Sequence, residues 1–410
     1  MRKKRDLAEF TADRCEAARR RLGSEARMDD YGAMRCIIET IFDDEESRFF
    51  SSDEIDSVIQ KIFYKTRRKL GILQPLVDDK DISEIMVNGP GDIFIEKQGR
   101  VERCGLAFDS TEELEEVMRS IVGEVHREIN EKNPIVDARL PDGSRVNGVY
   151  KNIALNGPIL TIRKFSENYM RMEDLVHNGT LSENGAKLLR MLVRCGYNIF
   201  VSGGTSSGKT TLLNALAEAI PREERVIVAE DSAELKMHYI ANIVHMECRN
   251  SNSAGQGKVS MSDLIKSSLR MRPNRIIVGE VRGDEVVDML QAMNTGHNGS
   301  LSTGHANSAE GMLRRLEALY LAAMPISTEA IRQQIAEGLD ILVHIEKGED
   351  GQRRIMEITE LQGYADGKFK LNRLMTIDKN GVLGFTGSPL INTKKTEQKG
   401  ENYADLLYEA

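Results

Sequence analysis

Gly203-Gly204-Thr205-Ser206-Ser207-Gly208-Lys209-Thr210 decides the reading of this chain. The segment fits G-x-x-x-x-G-K-[ST], the phosphate-binding loop. Its surroundings fit as well. Ile199, Phe200 and Val201 read as a strand before it, and Thr211 to Leu216 read as a helix after it. Glycines let backbone N–H groups wrap phosphate oxygens, and the helix N-terminus adds positive potential at the same place. Lys209 would reach the β- and γ-phosphates, and the Thr210 hydroxyl would sit on Mg²⁺. A chance match somewhere in 410 residues has odds of roughly a few per cent at ordinary glycine usage, and the strand and helix lower them. Gly203 to Thr211 are therefore the candidate nucleotide-binding residues, with ATP and Mg²⁺ as the expected ligands.

Composition narrows the class. A chain of 410 residues accommodates two or three domains with proper cores. The net charge is −8 and Trp is absent, so the bulk surface is not built to hold nucleic acid, and no stable nucleic-acid binding is expected. The five cysteines, Cys15, Cys36, Cys104, Cys195 and Cys248, form no C-x-x-C. They suggest neither a zinc ribbon nor a disulfide framework, and read as reduced thiols of a cytoplasmic protein. No apolar run approaches the ~18 residues that span a bilayer, and Met-Arg-Lys-Lys-Arg at the start lacks the apolar stretch of a signal peptide. Any membrane role is expected to be peripheral.

Five segments follow from the patterning. Residues 1–75 read as a helical N-terminal extension, with a capping box from Ser51 to Glu54 and apolar residues at Ile55, Val58, Ile59, Ile62 and Phe63. Residues 76–165 read as an α+β domain. It has strands at Ile82 to Val87 and Ile93 to Glu96, a second capping box from Ser110 to Glu113, two short strands around Pro141-Asp142-Gly143, and a closing strand Ile159 to Arg163. Residues 166–184 read as a linker. From 185 to 377 strands alternate with helices, which argues an α/β, RecA-like core. Residues 378–410 turn polar, and Thr393 to Gly400 is expected to be disordered.

Further chemistry sits on that core. Ile276-Ile277-Val278-Gly279-Glu280 is an apolar strand ending in a carboxylate, suited to present an acid to the attacking water. Val226-Ile227-Val228-Ala229-Glu230-Asp231 is a second such strand. Its acids would hold Mg²⁺ partly through water, and Glu230 competes with Glu280 for the role of base. Thr295 to Asn307 carries His297 and His305 in a Gly-rich stretch, and His305 is placed to meet the γ-phosphate. Arg139, Arg145 and Arg163 precede the loop in another domain, and Arg270 and Arg272 precede the Glu280 strand. Phosphoryl transfer needs such positive charge, and an arginine supplied across a boundary is worth ~10³-fold or more in rate.

Taken in order, these motifs resemble the type II/IV secretion ATPase superfamily. They are the phosphate loop, an Asp box Val228 to Leu235, a second nucleotide motif ending Gly279-Glu280, and a His box Gly296 to Asn307. Ile82 to Pro90 and Arg139 to Arg145 look like that family's N-terminal domain. Thr161 to Phe165 and Leu269 to Pro273 look like the CpaF-type ATPases of tight-adherence (Flp) pilus assembly. The resemblance covers about residues 80 to 360. It implies a homohexameric ring of two-domain subunits that hydrolyse ATP and act on an inner-membrane platform protein. It further implies Glu280 as catalytic glutamate with Glu230 assisting, His305 near the γ-phosphate, and Arg145 and Arg163 as the arginines of the N-terminal domain that contact it. Two departures stand out. Asn274 replaces a common Asp, and the four-cysteine zinc module of type II secretion ATPases is missing. A conjugative DNA-transfer ATPase and a slow ATP-binding scaffold are the alternatives.

Overall fold

The structure, a computed structural model, describes residues 6–408 except 24–27, 98, 126, 165–169, 238, 250, 252–255 and 380. The chain divides into two compact units, residues 1–166 and 167–410. Phe165 of the Thr161 to Phe165 segment lies outside the described residues.

The first unit opens with helices α1 (Leu7–Gly23), α2 (Asp30–Phe42) and α3 (Ser52–Arg67). Each contributes a helical-period apolar stripe to one small core around Phe10, Ile37, Ile41 and Ile62. Ser51 and Glu54 cap α3 reciprocally, as the sequence predicts. A short helix, α4 (Gln74–Asp78), leads to strands β1 (Ile82–Asn88), β2 (Ile93–Lys97) and β3 (Arg100–Arg103). Helix α5 (Thr111–Glu124) and strands β4 (Ile135–Arg139), β5 (Arg145–Val149) and β6 (Ile159–Arg163) complete the unit. The six strands form one antiparallel sheet in the order β3-β2-β1-β6-β5-β4. Leu114, Met118 and Ile121 of α5 share a core with Ile85, Val87 and Ile162 of the sheet. The second expected capping box is only half formed. Ser110 accepts from the Glu113 N–H, but the Glu113 carboxylate accepts from the Asp109 N–H instead.

The second unit begins earlier than expected. Within the presumed linker, α6 (Met172–His177) is a helix whose Met172 and Leu175 are buried in the unit's core. After α7 (Glu183–Arg194) come β7 (Ile199–Gly203), α8 (Lys209–Ala217), β8 (Val226–Glu230), β9 (Ile243–Glu247), α9 (Met261–Ser268), β10 (Arg275–Val278), α10 (Glu285–Asn294) and β11 (Leu301–His305). Then follow α11 (Ala309–Ala323), α12 (Thr328–Gly338), β12 (Ile341–Lys347), β13 (Arg353–Ala365), β14 (Lys368–Ile377) and β15 (Leu383–Phe385). The nine strands run β15-β14-β13-β12-β7-β11-β10-β8-β9. From β12 to β9 the pairing is parallel, and β13 to β15 extend it as an antiparallel meander. This is the α/β, RecA-like core that the alternation predicts. The unbroken apolar runs have the same cause. Every residue of β7, β8 and β10 is buried, because helices cover both faces of a parallel sheet.

The expected disorder at the C-terminus is not what the structure shows. α13 (Lys394–Lys399) and α14 (Tyr403–Tyr408) fold back on the second unit. Leu390 and Tyr403 enter its core, Tyr197 donates to the Asn392 carbonyl at 2.6 Å, and Lys395 pairs with Asp340 at 2.6 Å. Buried Glu360 accepts the N–H groups of Ile391 and Asn392. A few apolar anchors in a polar stretch were enough, and composition averaged over the segment hides them. Among the described residues no helix is long and apolar enough to cross a membrane.

Candidate nucleotide-binding site

The phosphate loop joins α8 to β7, the central strand of the nine-stranded sheet. Ser206 and Gly208 both have positive φ, 58° and 97°, flanking Ser207. Such alternation turns successive N–H groups toward one concavity, an anion nest. Gly208 also occupies the N-cap of α8, so the positive end of that helix faces the same concavity. Gly203 has no room for a side chain, since a Cβ there would lie 2.5 Å from Ser207 Oγ. The Ser207 hydroxyl is buried with no hydrogen-bond partner among the described residues. An orphaned buried hydroxyl inside a nest fits a phosphate ligand. Gly204, Thr205 and Ser206 form the exposed lip, and Thr210 and Thr211 are half-buried on the first turn of α8.

Lys209 is buried, and its Nζ donates to the carbonyls of Gly203 and Gly204 at 3.2 and 2.8 Å. Burial lowers its pKa, partly offset by the Glu280 carboxylate. Its Nζ also lies 3.5 Å from His305 Nδ1. On the other side of the ring, His305 Nε2 is 2.8 Å from Glu280 Oε1. Burial lowers the His305 pKa as well, against the pull of Glu280. A neutral imidazole accepts from Lys209 at Nδ1 and sets Nε2 at ion-pair distance from Glu280 Oε1, which has no hydrogen-bond partner among the described residues.

Glu280 is held firmly by its surroundings. Gly279 N–H donates to the Ala229 carbonyl, the Thr303 hydroxyl donates to the Gly279 carbonyl at 2.8 Å, and Val281 N–H donates to the Thr303 carbonyl. Neighbouring strands thus staple the residues on both sides of Glu280. Glu280 Oε2 accepts from Arg282 at 2.6 Å, and this bond raises the Arg282 pKa. Arg282 also reaches Asp231 at 3.7 Å. Arg282 was not among the expected site residues. Its signal was available, because an arginine two residues beyond the strand-ending carboxylate sits where β10 delivers that carboxylate. Glu285 closes the turn by accepting the N–H groups of Arg282 and Gly283.

The other expected residues sort themselves by place. Glu230 is buried at the end of β8, and its Oε1 accepts the N–H groups of Glu234 and Leu235 at 2.9 and 3.0 Å. That carboxylate organises the turn after β8, whereas Asp231 is exposed beside Arg282. His297 is set apart from His305, with its Nδ1 3.2 Å from the Ala292 carbonyl in the last turn of α10. Arg270 and Arg272 are exposed before the N-terminal end of β10, the end opposite Glu280. Asn274 accepts the Arg225 N–H, so the amide that replaces the common Asp serves as a strand-end cap. Arg139, Arg145 and Arg163 lie in the first unit and fall into cross-strand register, Arg139 opposite Arg145 and Arg145 opposite Arg163. Like charges opposed across a sheet repel one another.

Ser202, His344 and Glu346 imitate a hydrolytic triad, with Ser202 Oγ 2.9 Å from His344 Nδ1 and His344 Nε2 2.9 Å from Glu346. Ser202 is fully buried in β7, so no substrate reaches it. Among the described residues no three His, Cys, Asp or Glu side chains form a metal cage.

Comparison with known proteins agrees with this geometry. Residues 66–362 match the family model described as "Type II/IV secretion system protein". The chain is 34% identical over 303 residues to a probable conjugal transfer protein TrbB of Sinorhizobium fredii, covering 72% of this chain and 88% of that one. It is 32% identical over 326 residues to the type IV secretion system protein PtlH of Bordetella pertussis, covering 73% and 94%. An uncharacterised protein of Methanocaldococcus jannaschii is 42% identical over 258 residues, 60% of this chain, but the match spans only 35% of that longer protein. Among solved structures, the pilus retraction motor PilT with bound ADP superposes with TM-score 0.53 at 19% identity, covering 83% of this chain and 92% of PilT. The Legionella pneumophila ATPase DotB superposes with TM-score 0.51 at 20% identity, covering 72% and 80%. These two likenesses are of fold. The phosphate loop, the carboxylate-bearing strand β10 and the His305 strand β11 thus belong to a chain that is a member of the type II/IV secretion system protein family.

Proposed function

We propose that this chain is an ATP-hydrolysing motor that powers pilus assembly or protein secretion from the cytoplasmic face of the cell membrane. In this reading it works as a homohexameric ring, passes nucleotide-driven domain movement to an inner-membrane platform protein, and is of the CpaF type. The observation that carries the reading is the chain of contacts Lys209–His305–Glu280 at the phosphate loop.

The roles follow from the chemistry. The N–H groups of Gly204 to Thr211 and the Lys209 ammonium bind the phosphates. The Thr210 hydroxyl would hold Mg²⁺, with Glu230 and Asp231 behind it through water, and the ion would neutralise developing phosphate charge. Glu280 accepts the proton of the attacking water, since Arg282 holds its Oε2 while its buried Oε1 has no hydrogen-bond partner among the described residues. Glu230 also shapes the turn after β8, because its Oε1 is engaged by backbone N–H groups. His305 borders the γ-phosphate region through its place beside Lys209. Arg145 and Arg163 supply positive charge from the first unit.

The test is steady-state ATP hydrolysis by the wild type, Glu280→Gln and Lys209→Ala, each checked for fold by circular dichroism. A motor loses turnover in both variants, and its specific activity rises with protein concentration as rings assemble. Equal turnover in Glu280→Gln would sink the motor and leave a nucleotide-binding scaffold. A second reading, a conjugative DNA-transfer ATPase, is favoured by the 34% identity to TrbB. Stimulation of turnover by single-stranded DNA would select it.

A further inference from the structure

The phosphate loop has a support that no nucleotide motif supplies. Arg353 is the first residue of β13, opposite Lys347 across the β12–β13 hairpin. Its Nε donates to the Ser206 carbonyl at 3.1 Å. Its Cδ lies 3.1 Å from the point where a Cβ on Gly208 would stand, so the arginine stem covers the outer side of the loop. Among the described residues this is the one hydrogen bond of the Arg353 side chain. Ser206 is one of three non-glycine residues with positive φ among those described, the others being Arg272 and Asp366. A left-handed serine is held by its surroundings rather than by its own preference.

The consequence lies in one peptide plane. The bond from Ser206 to Ser207 is trans, and in a trans peptide the C=O and N–H point in opposite directions. Fixing the Ser206 oxygen outward on Arg353 therefore aims the Ser207 N–H inward, toward the concavity that also holds the orphaned Ser207 hydroxyl. Rotation of that plane would instead turn a carbonyl dipole on the phosphates.

We propose that Arg353 is a positioning residue of the phosphate loop, setting affinity for the phosphate groups of a nucleotide by locking the Ser206–Ser207 peptide. The proposal rests on the nucleotide reading of the loop. It ties the antiparallel hairpin to the loop's competence, since an altered hairpin releases the lock without touching Lys209, Thr210 or Glu280.

The experiment measures ADP affinity of the full chain with Mg²⁺ by titration calorimetry, together with kcat and KM for ATP. Arg353→Ala is expected to weaken ADP binding about five- to tenfold, the scale of one hydrogen bond. KM is expected to rise and saturated kcat to stay within about twofold, because the catalytic groups are untouched. Arg353→Lys retains an N–H donor and is expected to recover most of the affinity. Unchanged ADP affinity in Arg353→Ala, or a fall in kcat with unchanged KM, overturns the proposal while leaving the nucleotide reading intact. Failure of Arg353→Lys to recover affinity above Arg353→Ala also overturns it. A wild type that binds no ADP overturns both.

Discussion

His305 Nε2 lies 2.8 Å from Glu280 Oε1, and the same ring faces Lys209 through Nδ1 at 3.5 Å. One imidazole thus connects the cation of the phosphate loop to the carboxylate of the neighbouring strand. The connection is sensitive to protonation. Burial keeps the His305 pKa below its ordinary 6.5, so the ring is neutral at pH 7 and activity is flat there. Below that pKa the ring carries a proton at Nδ1, repels Lys209 and binds Glu280 as an ion pair, which withdraws the base. ATP turnover is therefore expected to fall on acidification, with its half-point below pH 6.5. His305→Asn should lower kcat by about 10²-fold and move or abolish that acid limb. An unchanged limb in the variant rules out His305 as its origin.

Lys209 is buried with a lowered pKa, its ammonium deprived of water without a carboxylate partner at ion-pair distance among the described residues. A residue held this way serves a ligand at the expense of the empty protein. Lys209→Met is expected to abolish nucleotide binding while the nucleotide-free melting temperature stays level or rises. A clear drop in that temperature, read by differential scanning calorimetry, would assign Lys209 a structural role.

The opposed arginines of the first unit make a converse case. Arg145 faces Arg163 across β5 and β6, and like charges so opposed destabilise a sheet by on the order of 0.2–1 kcal/mol before the other partners of Arg145 are counted. Arg163→Gln is expected to leave stability level or raised by that amount and to reduce ATP turnover. Urea denaturation and a turnover assay check the two halves separately, and normal turnover would count against a role in catalysis.

Gly299 has φ +78°, and an added Cβ would lie 2.6 Å from the guanidinium of Arg275. Arg275 is 1% exposed, pairs with Glu224, and donates to the Val193 carbonyl at 2.6 Å, so it has nowhere to retreat. Gly299→Ala is expected to cost about 2–3 kcal/mol through strain and overpacking, measured as a lower urea midpoint. A loss under about 0.5 kcal/mol would show that the backbone relaxes instead.

Tyr403 is a buried anchor of the C-terminal strap, packed edge-on against Phe385 and donating to the Ser388 carbonyl at 3.1 Å. Tyr403→Ala is expected to cost about 3 kcal/mol, the scale of losing a buried aromatic. Tyr403→Phe should cost about 1 kcal/mol, the share of its hydrogen bond. Equal stability of the alanine variant would mean that the strap is not part of the cooperative unit.

How much was legible differs from element to element. The α/β core was readable because buried parallel strands are continuous apolar runs, and Ile199 to Val201, Val226 to Ala229 and Ile276 to Val278 leave no other reading. The loop was readable because its glycines and lysine are each required at fixed spacing. Arg353 was not, because an arginine's partner is decided by what the fold brings to it. The strap was missed for a related reason. Leu390 and Tyr403 are two apolar residues in a polar segment, and only a core with a vacancy of the right shape makes them anchors.

The sequence by itself therefore determined the alternation of strands and helices in the central α/β core, the phosphate loop, and the carboxylate and histidine that follow it, since these depend on local periodicity and on residue types that chemistry cannot exchange. Tertiary structure alone decided that His305 bridges Lys209 and Glu280 and that Arg353 holds Ser206. Those are distances between residues 25 to 147 positions apart, and only the parallel packing of β7, β11 and β10 with the hairpin beside them makes them short.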